Sequence, residues 1–135
     1  MVETTLLKEP LTPEMIDIGS RLTDELDRMG VPLVASFWLF ESESNDWRLR
    51  IASREKEAGG QRAVYEKIRG AIKALGLSNN EEFALRNVSL IDPHDKLVLA
   101  LQTVFGEGVV TTPMRWGRGV IYKSYVDDAY IYRVN

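Results

Sequence analysis

Between Leu33 and Arg54 the chain reads LVASFWLFESESNDWRLRIASR, two apolar and aromatic runs flanking a polar stretch from Ser42 to Asp46. This is the pattern of a strand, a short connection and a returning strand. It constrains the fold more than any other segment, because whatever else forms must cover its apolar side. With Glu41 set opposite Trp47, Leu39 faces Leu49, Phe37 faces Ile51 and Ala35 faces Ser53, so one side of the hairpin is almost wholly apolar. The same register sets Phe40 against Arg48, Trp38 against Arg50, Ser36 against Ala52 and Val34 against Arg54 on the other side. A slip of one residue would bring Arg48 and Arg50 beside Phe37 and Leu39, and burying those charges unpaired costs several kcal/mol. The expected faces rest on that penalty.

The flanking segments supply helices. Thr12 is a good N-cap and Pro13 a good first helical residue, and Met15, Ile18, Leu22, Leu26 and Met29 then recur at helical steps until Gly30 and Pro32 stop them. Residues 1 to 11 read as an N-terminal arm. After a charged link with Gly59 and Gly60, a second helix carries Val64, Ile68, Ala71, Ile72 and Leu75 inward and ends near Gly76; its outer side is basic, with Arg62, Lys67, Arg69 and Lys73. Ser78 and Glu81 form a capping-box pattern for a short turn, Asn87 to Ile91 is a strand candidate, and Asp92-Pro93 is read as the start of a third helix ending at Gly106. Gly106 to Gly119 is expected to be a long irregular loop, with a strand around Val109 to Thr111, and to be the most mobile internal segment. Val120 to Lys123 and Ala129 to Val134 close the chain as a terminal hairpin. The order α-ββ-α-β-α-ββ predicts a two-layer α+β domain with a mixed, largely antiparallel sheet and helices mainly on one face.

Size and composition are those of one domain. The 135 residues suffice for a single core, and 44% apolar with 27% charged residues is too apolar for disorder. The net charge of −3 gives no global attraction to nucleic acid or acidic lipid, so such binding would need a local patch. No cysteine is present, which excludes disulfides, thiol nucleophiles and thiolate metal sites. Neither a secretion signal nor an apolar run of bilayer length is seen, and a cytoplasmic protein without membrane contact is the expectation.

The segments FWLFESESNDWRLRIAS, IDPHDKLVLAL and VDDAYIYR resemble recurring stretches of a family of small bacterial proteins of uncharacterised function. The resemblance implies a shared fold and brings no catalytic residue with it.

Catalysis finds little support in the sequence. His94, the single histidine, stands between Asp92 and Asp95 at a helix start, an arrangement that more often caps a helix than moves a proton. A magnesium-dependent nuclease would draw on Glu41, Glu43, the run Glu55-Lys56-Glu57, Asp127 and Asp128, but a Glu-x-Lys on the second strand would fall where Arg50, Ile51 and Ala52 stand. Gly106-Glu107-Gly108 follows a helix instead of opening one, unlike a phosphate loop. No catalytic residue, metal ligand or cofactor is assigned. The sharpest surface signal is the mixture of aromatics and arginines: Trp38, Phe40, Arg48, Arg50 and Arg54 on the outer side of the first hairpin, joined by Arg115, Trp116, Arg118, Tyr130 and Tyr132 near the end of the chain. Such residues are enriched in protein interfaces, and also serve single-stranded nucleic acid, where aromatics stack on bases and cations meet phosphates. The expected function is a non-enzymatic interaction domain contacting a protein or its own copy, with single-stranded nucleic-acid binding as the alternative and a carboxylate-dependent nuclease less favoured.

Overall fold

A computed structural model of the chain describes residues 7–55, 60–77, 87–105, 113–121 and 124–135. The elements run α1 (Pro13–Arg28), β1 (Leu33–Glu41), β2 (Asp46–Ser53), α2 (Gln61–Ala74), β3 (Val88–Ile91), α3 (Lys96–Phe105), β4 (Met114–Ile121) and β5 (Ser124–Val134). The five strands form one mixed sheet in the order β3-β2-β1-β5-β4. β2 and β3 are parallel, as the intervening helix requires, and every other pair is antiparallel. The α+β class and the element order are those expected from the sequence.

Local chemistry explains the helix ends. Thr12 Oγ1 accepts from Met15 N at 3.1 Å, Pro13 fills the first turn, and Glu14 lies where the helix dipole favours an acid. At the other end Gly30 has φ 82°, and the amide of Val31 reaches back to Leu26 O at 3.0 Å, a glycine-terminated C-cap. α2 ends the same way, with Gly76 at φ 72° and Leu77 N bonded to Ile72 O. The third helix starts later than expected. Asp92 closes a turn by accepting from His94 N at 2.7 Å, and Asp95 is the residue that caps the helix, accepting from Leu97 N at 2.9 Å.

The first hairpin corrects the sequence reading. Its register pairs Glu41 with Asp46, Phe40 with Trp47, Leu39 with Arg48, Trp38 with Leu49 and Phe37 with Arg50. The connection is therefore Ser42 to Asn45, one residue shorter than expected, because Asn45 takes the left-handed conformation (φ 51°) that asparagine tolerates. Since side chains alternate along a strand, that one residue exchanges the partners of both faces. Trp38, Phe40, Trp47, Leu49 and Ile51 share a core with Leu22 and Leu26 of α1 and Val64 and Ile68 of α2. Phe37 lies on the opposite face, with Ile131, Val98 and Leu101, and Leu39 packs at its margin. Arg48 and Arg50 are thus on the side of Phe37, against the expectation. The penalty invoked against that arrangement is avoided because the end of the face that carries them stays half-open and supplies carboxylates.

Among the described helices, α1 and α2 cover one face of the sheet and α3 packs on the other, against β4 and β5. The C-terminal segment also departs from expectation. Met114 to Gly119, read as irregular loop, is strand, paired to β5 from Met114 opposite Ile131 through Ile121 opposite Ser124. Ser124 to Asp128, expected as the hairpin connection, is the start of β5. The expected turn after Ser78, the strand at 109–111 and most of the first glycine link lie outside the described residues.

Candidate functional site

The aromatic half of the expected surface is interior. Trp38 is fully buried, and its Nε1 donates to Met15 O at 3.1 Å and to Tyr132 Oη at 3.0 Å. Tyr132 Oη in turn donates to Ile16 O at 2.6 Å. Burial pushes the Tyr132 phenol well above its ordinary pKa, so it stays a neutral donor. These bonds pin α1 to the sheet through two of its own carbonyls. They demand a notch in the helix, and Gly19 supplies it: a Cβ there would stand 2.3 Å from Tyr132 Oη and 2.6 Å from Trp38 Nε1. Tyr130 and Tyr132 do share a strand face, with ring centroids 5.3 Å apart, but that face is the one under α1. Trp38, Phe40 and Tyr132 therefore offer no stacking platform for bases, and the outer-face cluster of Trp38 and Phe40 with Arg48 and Arg50 does not form.

Arg48 and Arg50 instead make a charged ladder on the other face. Arg50 bonds Glu41, and Arg48 lies 3.7 Å from Glu41 and 3.8 Å from Asp46. Beside them a shallow cleft of about 450 Å³ runs between the turn residues Ser42 to Ser44 and Tyr125 and Asp127 of β5. Of its charged lining residues, Arg50 and Glu41 are paired with each other. Arg54 is exposed in the turn after β2. His94 is exposed with Nδ1 3.4 Å from Asp92, a local turn cluster remote from any cleft described above. Among the described residues no group of three His, Asp or Glu side chains could hold a metal ion, and no helix is long and apolar enough to cross a membrane.

Two features were not legible in the sequence. One is the seat of the arm. Leu7 to Leu11 crosses the open end of the α1-covered face: Trp47 Nε1 donates to Glu9 O at 2.8 Å, while the Asn45 amide accepts from Glu9 N and donates to Leu7 O, both at 2.9 Å. Lys8 Nζ lies 2.6 Å from Asp128 Oδ2, 4.7 Å from the Phe40 ring centre and 5.6 Å from that of Trp47. Arg115 holds the same carboxylate by both oxygens, at 3.0 and 2.7 Å. Burial alone would raise the Asp128 pKa, but the bonds and charges of Arg115 and Lys8 outweigh it and hold the group below its usual range.

The other feature is the β4 edge. β4 is the outermost strand and is exposed along most of its length, including Arg115 and Arg118, with Met114 36%, Val120 61% and the neighbouring Tyr125 67% exposed. Trp116 tucks its indole over Gly119, and its Nε1 finds no acceptor among the described residues. On α3, packed beneath, Leu99 and Val104 are each 44% exposed. Arg115, Trp116 and Arg118, three of the expected binding residues, are thereby gathered on one strand.

No family model, no curated protein and no solved structure matches the chain.

Proposed function

We propose that the protein is a non-enzymatic interaction domain that pairs with a second copy of itself along the β4 edge. The observation that supports this reading is an eight-residue outer strand with an exposed edge, carrying exposed Met114 and Val120 beside the exposed Leu99 and Val104 of α3. Long open edges present unpaired backbone donors and acceptors, and soluble proteins normally shorten, charge or cover them. An open edge of this length, with apolar residues toward both ends and arginines between them, suits a partner strand. A second copy fits because the sequence of β4 is self-complementary about Gly117. Antiparallel pairing there sets Met114 against Val120 and Trp116 against Arg118 of the other copy, an isologous contact with an apolar pair at each end and a cation on each indole. Among the described residues nothing lies within 4 Å of a Cβ added at Gly117.

Crosslinking tests the pairing directly, since the native chain has no cysteine. In Gly117→Cys, two-fold pairing brings the two Cα atoms to about 4.5–5.5 Å, within disulfide reach, and mild oxidation should convert most of the protein to covalent dimer. Gly70→Cys, on the exposed side of α2, is the control. Equal, low crosslinking at both positions would sink the proposal.

A further inference from the structure

We propose that Asn45, Trp47, Phe40 and Asp128 form a recognition site for an extended peptide segment carrying a lysine, and that the chain's own arm occupies it in cis. The inference does not rest on the β4 pairing, although Arg115, which holds Asp128, belongs to that strand. Its parts divide into a reader of backbone and a reader of charge. Asn45, held at φ 51° at the end of the hairpin turn, turns its amide toward the arm and takes both an N–H and a C=O from it, from Glu9 and Leu7. Trp47 Nε1 adds a third bond, to Glu9 O. All three go to main-chain atoms, so they select an extended conformation and not a sequence.

The charge reader selects the side chain between them. Lys8 Nζ sits over Phe40 at 4.7 Å and Trp47 at 5.6 Å, two ring faces whose quadrupoles attract an ammonium, and ends 2.6 Å from the Asp128 carboxylate. Asp128 is nearly buried, its side chain 9% exposed, so it is a fixed anion and not a mobile surface acid. Arg115 already engages both of its oxygens, Nε on Oδ1 and a terminal nitrogen on Oδ2. An incoming guanidinium would find no free pair of oxygens for its fork, whereas an ammonium needs only the one acceptor position left on Oδ2. The pocket therefore favours lysine over arginine. Beyond it the proline at position 10 keeps the segment extended, and Leu11, 8% exposed, anchors it against the core.

Covalent attachment gives the arm an effective concentration of about millimolar order, which a free peptide must overcome. The test opens the site first. Lys8→Ala with Glu9→Pro, in the full chain, removes the ammonium and the amide donor of the arm and leaves every groove residue in place; both positions are exposed. A fluorescein-labelled peptide of residues 4–13 is titrated against wild type and this variant by anisotropy, beside peptides with alanine or arginine in place of the lysine. The opened variant should bind the lysine peptide at least about tenfold more tightly than wild type does, and at least about tenfold more tightly than it binds the alanine peptide. The arginine peptide should fall between them. Adding Asn45→Gly, which keeps the turn but removes the amide, should weaken the lysine and alanine peptides alike, whereas Asp128→Asn should abolish the preference. Equal affinity for the lysine and alanine peptides, or no binding to the opened variant up to about 1 mM, overturns the proposal. Should the double variant lose its circular dichroism spectrum, Lys8→Ala alone must show the same preference or the proposal fails.

Discussion

Replacing Gly19 by alanine sets two effects of opposite sign against each other. In a helix interior the exchange is ordinarily favourable, by about 0.5–1 kcal/mol, because glycine loses more backbone entropy on folding. At Gly19 the new Cβ would stand 2.3 Å from Tyr132 Oη, 2.6 Å from Trp38 Nε1 and 2.7 Å from Tyr132 Cε2. These are not flexible ends that can swing aside. Trp38 is fully buried, and Tyr132 Oη is fixed by its bond to Ile16 O. Either α1 rises off the sheet or the bonds to Met15 O and Ile16 O break. Overpacking costs about 1–3 kcal/mol, and stranding one buried donor costs about 1–3 kcal/mol more. Subtracting the propensity gain leaves a loss of about 1–5 kcal/mol. For a chain of this size that lowers the melting temperature by about 3–18 °C. Gly70→Ala is the matched control: it lies within α2, where among the described residues only Met29 Cε comes as near as 4.0 Å to an added Cβ, and it should stabilise by about 0.5–1 kcal/mol. Urea denaturation followed by tryptophan fluorescence measures both. A Gly19→Ala variant as stable as Gly70→Ala would refute the pinning of α1 by Trp38 and Tyr132.

Truncating Phe37 or Leu49 to alanine removes a fully buried side chain from one core each, and each should cost about 2–5 kcal/mol by the same denaturation assay. Arg50→Glu places a second carboxylate beside the half-buried Glu41 and should destabilise by about 1–2 kcal/mol, whereas Arg54→Glu, at an exposed turn, should change stability by less than about 0.5 kcal/mol. The Asp128 carboxyl is held below its ordinary value of 3.8 by Arg115 and Lys8, so its contribution is complete above that pH and is lost as the pH falls through the lower folded value. The stability gap between wild type and Asp128→Asn should accordingly shrink between pH 5 and strongly acid solution in paired urea titrations; a gap that widens toward acid would contradict the assignment.

Much of the fold was readable because its signals were local. Thr12-Pro13 and Gly30 bound α1, and the stripe from Val64 to Ile72 marks α2, because caps and helical periodicity involve neighbours only. The hairpin faces were not readable, since β1 is apolar on both sides. Phe37 and Leu39 compete with Trp38 and Phe40 for the core, and both sets win, one against α1 and α2 and the other toward α3. The tie was broken by one backbone angle, at Asn45, which no periodicity reports. The penalty used against the true register assumed that the arginines would be sealed in, whereas Glu41 and Asp46 meet them at an open end. β4 was hidden by its glycines, which read as loop but are tolerated in an outer strand. Lys8 and Asp128 are 120 positions apart, and only the folded sheet brings them together.

The self-association of β4 is tested most directly by sedimentation equilibrium of wild type beside Val120→Lys, an exposed position whose change leaves the fold intact. Wild type should sediment at twice the 15.3 kDa chain mass at micromolar concentration, and Val120→Lys should sediment as the single chain. A wild type that remains at 15.3 kDa at every concentration reached would contradict the account.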